Sequence, residues 1–338
     1  MSEAALRTLA ADQALDLQSF REDIVGACAP AVIRGLVSDW RAVRAARVDG
    51  GLLDYLAAMA TPTPINIFVG PAEISGKYYY NDDLTGFNFS HETLPFAAAL
   101  DRVLRPAGEG EATAYLGSVP TPGYAPAFAA DNPMPLLGAG AVPRLWLGHA
   151  AQVACHYDTL DNLACVVAGI RRFTLYPPGA IGELYVGPID LTMAGQPVSL
   201  AASSPHDPER YPRFERVRHL AIEVDLAPGD ALYLPKLWWH QVQSTAPVNA
   251  MVNYWWDAFA AGPDGPYTSL MLAMISIRER PQVERAAWRA FFDHYVFRPE
   301  GGHPLDHLPP ERHGLLGPLQ PDNYGRIRAR IMNALKRG

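Results

Sequence analysis

Cysteine is scarce in this sequence. Cys28, Cys155 and Cys165 form no CxxC pair and cannot all be bridged, which argues against a disulfide framework. Long apolar runs are lacking as well. None approaches the roughly 20 residues that span a bilayer, so no transmembrane helix is expected. The opening "MSEAALRTLAADQALD" carries acids and no continuous apolar core, so no signal peptide is expected and the anticipated location is cytoplasmic. Excess positive charge is missing too. A net charge of −7 gives no general pull toward nucleic acid or anionic membrane. Repeats and low-complexity tracts are absent, which argues against a solenoid.

What is present fits a soluble globular protein. The 338 residues suffice for one large domain with an appendage, or for two. Hydrophobic residues at 49% and charged ones at 19% rule out extensive disorder. Residues 1–60 read as helical, broken by a short strand at Ala31–Ile33 in "PAVIRGLVSDW". From about 62 to 257 short β-like runs dominate: "INIFVG", "KYYYND", "TAYLGSV", "PRLWLG", "LACVVAG", "RRFTLYPP", "HLAIEVDL", "DALYLP", "HQVQST" and "NAMVNYWW". Short strands separated by Pro/Gly turns, among them Pro228-Gly229-Asp230, predict a mainly β sandwich or barrel with flanking helices. After "AAGPDGP" two helices are expected, with Pro281 in the first turn of the second. Leu270, Met271, Met274 and Ile277 form one apolar stripe; Trp288, Phe291, Phe292 and Tyr295 form another. Such stripes suit packing within the chain or against a second copy of it.

Chemistry concentrates in "CHYDTLDNLACVVAGIRRFTLYPP". In a strand, positions two apart share a face, so His156 and Asp158 would both point inward, where polar groups need a reason to be. An HxD pair alone is weak. His240, in "LPKLWWHQV", begins another strand 84 residues on (240 − 156), and a jelly roll brings such strands face to face. Two histidines and a carboxylate on one side of an iron leave three adjacent positions open, as in non-haem Fe(II) oxygenases. The plainer alternative is that both histidines are satisfied core residues and Asp158 caps a turn. In "RRFTLYPP", Arg171 shares a face with Phe173 and Leu175, so it too is expected inside, where a guanidinium needs an anion. An internal salt bridge would serve equally. Asn253 shares parity with Met251 and Trp255, so its amide points inward; like Asn162, it either orients ligands or satisfies buried backbone.

At these residues the sequence resembles the jumonji-C (JmjC) branch of the cupin superfamily, in particular the cupin-like proteins related to the hypoxia-inducible-factor asparaginyl hydroxylase. "PAVIRGLVSDW", "HYDTLDN", "VVAGIRRFTLYPP", "PERYPRF", "APGDALYLPKLWWHQV" and "VNYWW" carry the resemblance in order, over roughly residues 15–257. It implies a JmjC/cupin-like domain (residues 1–260), an N-terminal helical and strand extension followed by a double-stranded β-helix core, holding Fe(II) through His156, Asp158 and His240, with 2-oxoglutarate as co-substrate. It also implies a C-terminal helical segment (261–338) able to form a homodimer contact. Tyr115, Asn162 and Asn253 match co-substrate positions. Arg171 stands where lysine is common, and Val153 where a threonine helps hold the co-substrate. The implied reaction uses O2 and 2-oxoglutarate to hydroxylate a protein side chain or small molecule of unknown identity; nucleic acid is not the expected substrate. A loop at Gly76–Asn88 is a candidate cover for the mouth, or an ordinary polar hairpin. Two other functions remain open: a metal cupin enzyme that does not use 2-oxoglutarate, and a catalytically silent dimeric binding module.

Overall fold

A computed structural model describes residues 6–10, 15–108, 110–138, 140–193, 195–260 and 262–336. Six strands precede the barrel proper: β1 (Arg7–Leu9), β2 (Ala31–Ile33), β3 (Pro64–Gly70), β4 (Lys77–Tyr78), β5 (Ser90–Pro95) and β6 (Thr113–Pro120). Eight more follow: β7 (Arg144–Gly148), β8 (Ala151–His156), β9 (Asp161–Ala168), β10 (Arg171–Tyr176), β11 (Ile222–Leu226), β12 (Ala231–Leu234), β13 (Trp239–Ser244) and β14 (Asn249–Trp256).

These strands form two sheets, in the orders β1-β2-β12-β9-β14-β7-β6-β3-β5 and β11-β10-β13-β8-β4. From β7 to β14 the chain steps from sheet to sheet at almost every connection, which is the jelly-roll, double-stranded β-helix arrangement that the family resemblance implies. Between the sheets, Phe173, Leu175, Val224, Leu226 and Val242 meet Val166, Leu232, Leu234 and Met251. The outer face of the larger sheet is covered by a second cluster, including Phe20, Ile24, Trp40, Leu56 and the helix Phe96–Leu104. Strand β9, central in that sheet, is therefore buried on both faces, which is why "LACVV" runs apolar without alternation.

Contacts divide the chain into two units, residues 1–258 and 259–338. The second holds the helices Pro266–Ile277, Gln282–Phe292 and Pro321–Leu335. The expectation of two helices is thus short by one. "PDNYGRIRARIMNAL" interrupts its apolar positions with arginines, so its helical stripe is faint in sequence. Pro281 sits at the N-cap of the second helix rather than inside its first turn. Three strands were also not legible: β1, "RTL", is only three residues long inside a stretch read as helical, β5, "SHETLP", is a polar edge, and β8, "AQVACH", mixes small and polar residues. No helix among the described residues is long and apolar enough to cross a membrane.

Candidate metal centre

His156 is the last residue of β8, Asp158 lies in the turn to β9, and His240 is the second residue of β13. The antiparallel β8–β13 register sets the histidines directly opposite each other, with ring centroids 4.3 Å apart. One ligand atom from each of the three residues lies within 4.8 Å of the others, the one such group among the described residues. His240 Nε2 and Asp158 Oδ2 are 3.8 Å apart.

The hydrogen bonds around the triad leave its inner nitrogens free. His156 Nδ1 lies 2.8 Å from the carbonyl of Ala154, and His240 Nδ1 3.0 Å from that of Trp238. A carbonyl can only accept, so each Nδ1 carries the proton and each Nε2 presents a lone pair. Burial pushes the His240 imidazole down to about 4, and the neighbouring His156 adds to this; Asp158 and the Trp238 carbonyl oppose it. Neutral imidazole is the ligating form. The indole N–H of Trp255 donates to Asp158 Oδ2 at 3.1 Å, and the Leu237 N–H donates to the Asp158 carbonyl at 2.8 Å.

Just beyond the turn, Asp161 binds both neighbouring loops. Its side chain accepts from the Tyr233 hydroxyl (3.1 Å), the Lys236 amide (3.4 Å) and the Ala258 amide (3.0 Å), and lies 3.3 Å from Lys236 Nζ, which also bonds Asp257. The carboxylate is almost wholly buried, so these partners offset a large desolvation cost. They tie the segment carrying Asp158 to the one leading into His240.

Every residue expected from sequence lines one narrow cavity: His156, Asp158, His240, Arg171, Tyr115, Asn162 and Asn253, with Val153 beside them. Arg171 is 1% exposed. Its Nη2 donates to the Trp146 carbonyl at 3.3 Å, and its Nε has no hydrogen-bond partner. The internal salt bridge considered from sequence is not among the ion pairs of the described residues. Asn253 Nδ2 donates to Asn162 Oδ1 (3.2 Å), and Trp146 Nε1 donates to Asn253 Oδ1 (2.7 Å). The two amides thus orient each other. Sequence reasoning missed Trp255 and Trp146. The strand parity that turned Asn253 inward applies equally to Trp255, two residues on.

The segment at Gly76–Asn88 begins with β4, which pairs parallel to β8 and sets Tyr78 against Val153 in the cavity wall. Gly76 (φ +73°) comes so close to β8 that a Cβ would lie 2.3 Å from the Ala150 carbonyl oxygen.

Comparison with known proteins agrees with this architecture. A family model described as "Cupin-like domain" matches residues 17–262. A Drosophila melanogaster protein named Jumonji C domain-containing protein 5 is 28% identical over 71% of this chain and 58% of its own length. The human bifunctional peptidase and (3S)-lysyl hydroxylase JMJD7 is 28% identical over 70% of this chain and 80% of its own. The Arabidopsis thaliana lysine-specific demethylase JMJ31 is 37% identical over 33% of this chain and 20% of its own. This chain therefore spans little more than half of the Drosophila relative and a fifth of the plant one. Hydroxylases and demethylases thus stand among its relatives, and the metal-competent barrel and the matched span together make this chain a member of the cupin-like, JmjC family.

Proposed function

We propose that this chain is a 2-oxoglutarate- and Fe(II)-dependent oxygenase that hydroxylates a protein side chain or a small molecule. His156, Asp158 and His240 would hold the iron. Arg171, Tyr115, Asn162 and Asn253 would surround the co-substrate. One observation carries this: a two-histidine, one-carboxylate donor set shares its cavity with a buried guanidinium whose Nε has no partner. The donor set suits Fe(II) with positions left open. The orphaned fork suits a carboxylate, which it can grip with parallel charge-assisted bonds.

Iron with 2-oxoglutarate would supply the oxidising chemistry, in which one atom of O2 enters the keto acid as it loses CO2 to become succinate and the other is inserted into a substrate C–H to give the alcohol. The chain's own residues do the rest. The Ala154 and Trp238 carbonyls keep both imidazoles in the tautomer that binds through Nε2. Trp255 fixes the Asp158 carboxylate. Arg171 neutralises and orients the distal carboxylate, and Val153, Phe173, Val242 and Met251 exclude water from it.

A metal cupin that does not use 2-oxoglutarate leaves the unpaired Arg171 unexplained. A silent binding module leaves the triad unexplained, since apolar side chains would fill those positions at lower desolvation cost. The test is succinate release from 2-oxoglutarate by protein purified anaerobically with Fe(II). Turnover that disappears in Asp158→Ala supports the proposal. Bound metal with no turnover in either protein points to the second function, and no bound metal to the third.

We also propose that the C-terminal helices pair with a second copy of the chain. Neither Pro266–Ile277 nor Gln282–Phe292 contains a buried residue, and Ile275 and Val283 are 81% and 83% exposed. Light scattering should give a dimer mass for the wild type and a monomer mass for Val283→Glu/Phe291→Glu. A wild-type monomer at micromolar concentration would reject the pairing.

A further inference from the structure

We infer that Ser203, in the excursion between β10 and β11, is a positioning residue for His156; the inference rests on the triad being a metal site. The β8–β13 register pairs His240 with His156 but Val242 with Val153. Two residues of β8, Ala154 and Cys155, therefore oppose only Gln241, which is a β-bulge. In a regular strand, Val153 and His156 are three apart and face opposite ways. Here both line the cavity, because the bulge restores His156 to the inner face. The metal geometry thus depends on a local irregularity.

A bulge removes backbone groups from the ladder, and Cys155 is 0% exposed, so its amide and carbonyl need partners from elsewhere. Both come from the excursion. The Cys155 N–H donates to Ser203 Oγ at 2.9 Å, and the Cys155 carbonyl accepts from the Ser199 N–H at 2.7 Å. The next residue, His156 itself, bridges Val198. Ser203 is 2% exposed at the end of the short helix Leu200–Ser203, so no water can replace its hydroxyl. Ser199 fixes that helix: its Oγ accepts from the Ala202 N–H (3.0 Å) and donates to the Leu184 carbonyl (2.5 Å). With Ser203 reduced to alanine, a buried N–H loses its acceptor. The bulge can then regain a partner only by shifting, and His156 moves with it.

The experiment is titration of metal-free protein with Co(II), without 2-oxoglutarate, read by its visible ligand-field absorption. Ser203→Ala should weaken Co(II) by about tenfold to a hundredfold, the usual range for losing a group that orients a ligand. Ser203→Thr, which keeps the hydroxyl, should restore affinity. Asn132→Ala serves as the control for general destabilisation, since that buried amide bonds Tyr55, Phe128 and Ala42 and none of the triad. It should lower the melting temperature and leave Co(II) affinity unchanged. Wild-type affinity in Ser203→Ala, or an equal loss in Asn132→Ala, overturns the inference alone. A wild-type protein that takes up no Co(II) overturns the metal site, and the inference with it. Should the alanine variant not fold, Ser203→Cys offers only a weak sulfur acceptor, and undiminished affinity there counts against the role as well.

Discussion

Arg171 and Arg172 are neighbours on β10 and sit in opposite circumstances. Arg172 faces outward and is gripped by Asp225 through two bonds, Nε to Oδ1 at 2.7 Å and Nη2 to Oδ2 at 2.8 Å. Arg171 faces inward, is buried, and has one long bond to a carbonyl and an unpaired Nε. The exposed charge, which needs a partner least, has an ideal one. The buried charge, whose desolvation is costly, has no carboxylate partner among the described residues. That inversion is what the proposed carboxylate-bearing co-substrate would account for.

The comparison can be attacked from its strongest point downward. Asp158→Ala removes the only carboxylate of the donor set, so succinate formation should fall to the background of free iron. Turnover persisting in that variant would detach the inner face from metal chemistry altogether. Arg171→Met should weaken 2-oxoglutarate binding by roughly 10- to 150-fold, equivalent to about 1.5–3 kcal/mol for charge-assisted bonds. The same variant should leave the ligand-free melting temperature equal or higher, because it removes a buried charge that lacks an anion. A lower melting temperature with unchanged 2-oxoglutarate affinity would mean that Arg171 is structural. Val153→Thr adds a hydroxyl to the cavity wall and should tighten 2-oxoglutarate by about fivefold, one net hydrogen bond. Calorimetric titration under anaerobic conditions reads both affinities.

The smallest effect belongs to the outer face. Arg172→Ala should lower stability only slightly, because both charges of the pair are solvent-exposed, and by less at high salt, with turnover unchanged. The hydrogen bonds from Arg172 hold the Asp225 carboxyl below its ordinary value. A depressed carboxyl stabilises the fold above its unfolded pKa, so the pair contributes at neutral pH. That small contribution is lost only as the solution is acidified through the lowered folded value. Urea melts of wild type and variant at neutral and acid pH should therefore converge on the acid side.

Much of this was legible without a structure. Strand parity alone turned Arg171 and Asn253 inward, and both are buried. The apolar run Leu163–Ala168 of β9 read correctly as a strand because a central strand excludes water from both faces. The inward placement of His156 was expected for too simple a reason. Alternation from His156 to Asp158 assumes a continuous strand, whereas β8 ends at His156 and a bulge just before it sets that residue's direction. A bulge is a mismatch between two strands, and the sequence of one strand contains only half of it. The roles of Ser203 and Asp161 were invisible for the same reason: each acts on backbone or side chains brought near by folding.

By itself the sequence determined the local periodicities, hence which elements form, which face of each strand is apolar, and which polar side chains are carried inward. Those follow from short-range sterics and from burial, which act along the chain. Only the tertiary structure decided that three polar groups from two separated strands and a turn lie within 4.8 Å, and that a buried guanidinium beside them has no carboxylate partner among the described residues. Register, bulges and the pairing of buried polar groups depend on what stands opposite, and opposition exists only once the sheets have closed.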